Sequence, residues 1–158
     1  MVGIIGVMNG SNGEISKPAD KKKDLGPPLK ILVADDTAVN LALATKLLKR
    51  RGHDITSVED GLQAFETFKK ASFDVVLMDI HMPVMDGLES TAKIREFEAS
   101  QPSRPPTPII AMTANNEKSD HETYLKSGMS GIITRPMNIK TLVSQIRKII
   151  AGFSGRFF

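Results

Sequence analysis

Five short aliphatic runs, each followed by an amphipathic or polar stretch, constrain this chain more than any other feature. The runs are Lys30 to Asp35 (KILVAD), His53 to Val58, Phe73 to Asp79 (FDVVLMD), Thr107 to Thr113 (TPIIAMT) and Gly131 to Thr134. Between and after them, residues recur at helical spacing. Thr37 to Arg51 carries Val39, Leu43 and Leu47 and stops at Gly52; Asp60 to Ala71 carries Leu62, Phe65 and Phe68 on one face. Leu88 to about Ala99 reads as a third helix. Glu117 to Ser127 is polar, with Tyr124 and Leu125 as its main apolar anchors, and Asn138 to Ala151 turns Leu142, Ile146 and Ile149 inward. Strand and helix alternation with short links predicts an α/β fold, a doubly wound five-stranded parallel sheet with helices on both faces. Runs such as VVLM, apolar without a break, fit strands buried on both sides.

The folded domain expected from this pattern covers residues 29–151. Residues 1–28 are rich in Gly, Asn, Ser and Lys, close on Gly26, Pro27 and Pro28, and read as a flexible leader or linker. Residues 152–158 read as a tail, in which Phe153, Phe157 and Phe158 are unusual for a solvated segment. No apolar run approaches the roughly 20 residues that cross a bilayer, and Met1 to Met8 lacks a basic start, so no membrane partner and no export are expected. A cytoplasmic location is expected, with the nucleus left open. The formal charge of +3 owes much to Lys21 to Lys23, which read as a solvated linker run rather than a nucleic-acid site. Cysteine is absent, so any metal must be held by oxygen or imidazole.

In a doubly wound sheet, ligands lie beyond the carboxyl ends of the strands, where the strand order reverses. The first run ends in Asp35 and Asp36 and the third in Asp79, so an order that puts these strands side by side gathers three carboxylates. Like charges in one crevice raise one another's pKa, and a bound cation relieves them. Oxygen donors of this kind suit Mg²⁺, which commonly joins one or two carboxylates to phosphate oxygens. Thr113 closes the fourth run and Arg135 follows the fifth, bringing a hydroxyl and a fixed positive charge that can hold phosphoryl oxygens. A carboxylate can itself serve as the nucleophile in phosphoryl transfer. Taken singly, each residue has a plainer reading: Asp36 or Thr113 as a helix cap, Asp35 and Asp79 as solvated loop residues, Arg135 as a surface charge beside Pro136. Three carboxylates at two strand ends argue against it.

In this order the motifs resemble the receiver domains of two-component signalling. The matching features are VADD at the first strand end, MDIHMPVMDG from the third, Thr113 before Ala114, and a basic residue before Pro136. The resemblance spans roughly Leu29 to Ala151 and implies the flavodoxin-like strand order 2-1-3-4-5. It implies that Asp79 accepts phosphate from a phosphohistidine, and that Asp35, Asp36, Asp79 and the backbone carbonyl of His81 hold Mg²⁺. Thr113 and Arg135 would engage the phosphoryl group. It further implies a cis bond at Arg135-Pro136 and a histidine kinase or histidine phosphotransfer protein as partner. Output would pass through the fourth helix, fifth strand and fifth helix. Asn40 resembles the form found in receiver domains of hybrid histidine kinases. No enzymatic activity beyond its own phosphorylation and dephosphorylation is implied.

Two positions depart from the family pattern: Arg135 replaces its lysine and Ile132 its aromatic switch residue. They motivate an alternative, a pseudo-receiver that keeps the fold as an interaction module without the phosphorylation switch. A flavodoxin-like electron carrier would need a donor-rich loop after the first strand, where this chain has acidic Asp35-Asp36-Thr37. An aspartyl phosphatase would need a second carboxylate two residues after Asp79, where His81 stands. The Pro102 to Pro106 stretch reads as a lengthened surface loop that leaves the site intact.

Overall fold

The computed structural model describes residues 26–154 apart from 115, 116 and 139, so most of the expected leader and Phe157 and Phe158 of the expected tail lie outside the described residues. The elements follow in strict alternation: β1 (Lys30–Ala34), α1 (Ala38–Arg50), β2 (Asp54–Val58), α2 (Gly61–Lys70), β3 (Val75–Asp79), α3 (Gly87–Ala99), β4 (Ile109–Thr113), α4 (Lys118–Lys126), β5 (Gly131–Thr134) and α5 (Leu142–Ser154). All strand pairs are parallel and the order is β2-β1-β3-β4-β5, as expected.

The unbroken apolar runs have a direct physical reason. Successive strand side chains point to opposite faces, and each face of this sheet is covered by helices. Leu32, Ala34, Val76, Met78, Ile109 and Ala111 face a core closed by Phe68 of α2, Ile94 of α3 and Tyr124 of α4. Ile31, Val33, Val75, Leu77, Ile110 and Met112 face the other core, closed by Ala44 and Leu48 of α1 and Leu142, Val143 and Ile146 of α5. Every residue of β3 and β4 is buried.

Two of the three residues in the expected apolar stripe of α1 face solvent, and only Leu47 is partly buried. Val39 is 74% exposed and Leu43 40%, while Leu41, Ala44 and Leu48 meet the sheet. Both sets recur at helical spacing, and only the position of β1 and β3 beneath the helix decides between them. Leu62 of α2 and Leu125 of α4 likewise lie exposed, whereas Phe68 and Tyr124 are buried as expected. Gly52 ends α1 at φ +94°, where its N–H and that of His53 reach the carbonyls of Lys49 and Leu48. The last helix runs through Ala151 to Ser154, so the segment from Gly152 begins as helix rather than tail. Phe153 is accordingly buried, with the Arg95 guanidinium 5.6 Å from its ring centre. The long α3–β4 link is pinned at the end of the sheet away from the carboxyl termini of the strands. There Arg104 donates to the carbonyls of Ala71 (2.7 Å) and Phe68 (3.3 Å) and lies over the Phe68 ring.

Candidate functional site

Strand register builds the site. Ala34 sits beside Met78, so the next residue on each strand, Asp35 and Asp79, also become lateral neighbours at the sheet's carboxyl edge. Asp36 continues from Asp35, and one carboxylate oxygen from each of the three lies within 4.8 Å of the others. Asp35 and Asp79 are buried and Asp36 is exposed. Asp35 Oδ1 accepts the Thr37 N–H at 2.9 Å, which turns the chain into α1. Thr37 stands at the cap position of α1, so Asp36 is not its cap.

Arg135, whose side chain is 18% exposed, reaches back into this cluster. One guanidinium nitrogen donates to Asp35 Oδ2 and the other to Asp79 Oδ1 at 3.4 Å. It is therefore a site residue and not a surface charge. Its backbone N–H donates to the Thr113 carbonyl at 2.7 Å, tying the ends of β4 and β5 together. Thr113 is buried at the end of β4, and α4 starts four residues later than Ala114 with Glu117 at its cap position, so Thr113 is not that helix's cap. The Arg135-Pro136 bond is cis, as expected. Ile132 packs partly buried against the core beneath α2, α3 and α4.

Burial pushes the Asp79 carboxyl up from 3.8 to about 6; Arg135 pulls it down, and the Asp35 charge adds to the rise. His81 contributes its backbone N–H to Asp79 Oδ1 at 3.4 Å, while its side chain is exposed.

Three features of the site were not read from the sequence. A Cβ at Gly87 would lie 2.1 Å from the Asp79 carbonyl oxygen, so only glycine lets α3 start this close to the strand end. Gly61 plays the same part against the Met85 carbonyl and donates its N–H to it at 2.9 Å, locking the β3–α3 loop onto α2. Val84, at φ +70°, lies within a tight turn closed by Met85 N–H on the Pro83 carbonyl at 2.7 Å, a strained place for a β-branched residue. The Asp86-Gly87 pair was legible only as turn chemistry. A cavity of about 590 Å³ opens beside the carboxylates between α1 and β2, lined among others by Asp35, Asp36, Leu41, Thr45 and Glu59.

The family model described as the response regulator receiver domain matches residues 31–147, nearly the whole described chain. The chain belongs to the response-regulator receiver family. It is 40% identical over 148 residues to hybrid signal transduction histidine kinase I of Dictyostelium discoideum, which covers 90% of this chain and 8% of that protein. It is also 40% identical over 122 residues to transcription factor SKN7 of Candida albicans, covering 77% of this chain and 21% of that protein. The receiver therefore spans a small part of the length of these curated relatives. Among solved structures, the receiver domain of a Pseudomonas aeruginosa sensor histidine kinase matches at a TM-score of 0.69 and 32% identity, over 79% of this chain and 99% of that one. That structure holds a magnesium ion in its active-site cleft. A Saccharomyces cerevisiae receiver domain co-crystallised with the histidine phosphotransfer protein Ypd1 matches at a TM-score of 0.75 and 26% identity, over 84% of this chain and 95% of that one. The function class is thus that of a receiver domain in two-component phosphorelay signalling. Among the described residues, no helix is long and apolar enough to cross a membrane.

Proposed function

We propose that Asp79 is the phosphoacceptor of this receiver and that Asp35, Asp36, Asp79 and the His81 carbonyl bind Mg²⁺ during transfer. The observation that carries the reading is the position of Asp79, buried at the strand edge between the Asp35 carboxylate and the Arg135 guanidinium. The donor set fits a hard divalent cation, since it offers oxygen alone, with three carboxylates close together and two of them buried. Such a cation, when bound, supplies positive charge to the phosphoryl oxygens as charge moves in transfer.

In the transfer step, an Asp79 carboxylate oxygen forms a bond to phosphorus while the bond from phosphorus to the donor imidazole nitrogen breaks. The bonding pair stays on that nitrogen, and the donor ring, protonated on its other nitrogen before transfer, leaves as neutral imidazole beside the acyl phosphate. Asp79 is the nucleophile in its ionised form. Thr113 and Arg135 supply a hydroxyl and a charge to the incoming phosphoryl oxygens. The donor is a phosphohistidine on a histidine kinase or a histidine phosphotransfer protein, a reading supported by the Ypd1 complex of the yeast relative. Output runs through α4, β5 and α5, the protein works on the cytoplasmic side or in the nucleus, and its chemistry is limited to gaining and losing this phosphate. The pseudo-receiver alternative has no specific support in the site, where the three carboxylates, the hydroxyl and the cationic residue all stand at the strand ends.

The test is phosphorylation by a small-molecule phosphodonor in Mg²⁺, read by intact mass. The wild-type protein gains one phosphoryl group, and Asp79→Asn gains none. Full labelling of Asp79→Asn at the same site sinks the assignment.

A further inference from the structure

Arg135 makes its ion pairs with the carboxylates that a divalent cation would take. Asp35 is doubly engaged, Oδ1 by the Thr37 N–H and Oδ2 by Arg135. Asp79 Oδ1 receives both the His81 N–H and the second arm of the Arg135 fork. The guanidinium therefore bridges two carboxylates on neighbouring strands with one terminal nitrogen for each, whereas an ammonium would have to serve both from a single atom. Its Nε is buried and makes no hydrogen bond among the described residues, so only the two terminal nitrogens hold it in place. Its backbone is fixed to Thr113, which limits the movement to the side chain.

We propose that Arg135 is a tethered competitor of the divalent cation, the two acting as alternative counter-ions for Asp35 and Asp79. Arginine at this position weakens cation binding and makes occupancy of the site follow the surrounding Mg²⁺ concentration. The inference rests on the cation-binding part of the proposed function. It makes Arg135 a positioning residue for Asp79, which is held by the fork until metal or phosphate takes over the carboxylates.

The experiment is Mg²⁺ titration of the full chain by calorimetry, with R135K and R135Q beside the wild type, and urea unfolding of each with and without Mg²⁺. R135Q removes the positive charge from both carboxylates and is expected to tighten Mg²⁺ binding on the order of tenfold, while R135K, which keeps a charge without the fork, tightens it about threefold. Linkage requires the converse in unfolding: the variants are less stable than wild type in chelator, and the deficit shrinks as Mg²⁺ is added. A purely structural role gives a deficit that Mg²⁺ leaves unchanged. If R135Q binds no tighter than wild type, the competition is overturned; if R135K alone matches wild type, the bridging fork is overturned. Should R135Q not fold, R135K keeps charge and length and decides by the same two readouts. Absence of Mg²⁺ binding by all three folded proteins overturns this inference together with the metal reading, whereas wild-type binding with unchanged variants overturns this inference alone.

Discussion

Replacing Asp79 by asparagine is expected to stabilise the protein in the absence of divalent cations. The side chain is buried, and its carboxyl is raised from 3.8 to about 6. That displacement corresponds to about 3 kcal/mol by which the folded state disfavours the ionised form. The sign follows from proton binding. Between pH 4 and 6 the folded state holds the proton more tightly than the unfolded chain, so the contribution to stability is full below 3.8 and lost as pH rises through 6. At pH 7.5 wild-type protein therefore bears a buried charge that asparagine lacks, and Asp79→Asn should unfold at higher urea by about 2 to 3 kcal/mol. At pH 4 the advantage should fall below about 1 kcal/mol. Other titrating groups are common to both proteins and cancel in the difference. Paired urea titrations in chelator at the two pH values measure it. Equal stabilities at pH 7.5, or a gap that is the same at pH 4, would falsify the account of Asp79 as a strained carboxylate.

Three further outcomes follow from packing. Gly87→Ala places a methyl group against the Asp79 carbonyl and is expected to cost about 2 kcal/mol or more, with phosphoryl labelling reduced more than tenfold; retention of wild-type labelling contradicts the close approach. Leu48→Ala, in the core between α1 and the sheet, should cost about 2 to 5 kcal/mol in urea unfolding, whereas Val39→Ser on the same helix should change stability by less than about 0.5 kcal/mol; equal costs would reverse the assigned face of α1. Arg104→Ala removes the pin on the α3–β4 loop and should lower stability by about 1 to 2 kcal/mol while leaving phosphoryl labelling at the wild-type level, since Arg104 contacts Ala71 and Phe68 and not the site.

The sheet and its five helices were legible because burial on both faces leaves an unbroken apolar signature that few other arrangements produce, as in Val75 to Met78 and Ile109 to Met112. Asp35, Asp36, Asp79, Thr113 and Arg135 were legible as a group for the same reason, since a strand end can be placed once the strand is known. What could not be read was set by packing across distance. Both stripes of α1 have the period of a helix, and which one is buried depends on strands that lie elsewhere in the chain. Arg135 read as a charge near phosphate; that it spans Asp35 and Asp79 depends on the separation of β1, β3 and β5. The need for glycine at 87 arises from the backbone of residue 79 and has no local signal.

The contact between Gly87 and the Asp79 carbonyl has one more consequence. Asp79 is held from behind by a helix start and from the side by sheet pairing, so the backbone carrying it is fixed by the fold itself. On the proposed reading, a donor protein has little shaping to do. Its part is delivery, and surfaces away from residue 79 can vary to select among donors while the reactivity of the acceptor stays with this chain.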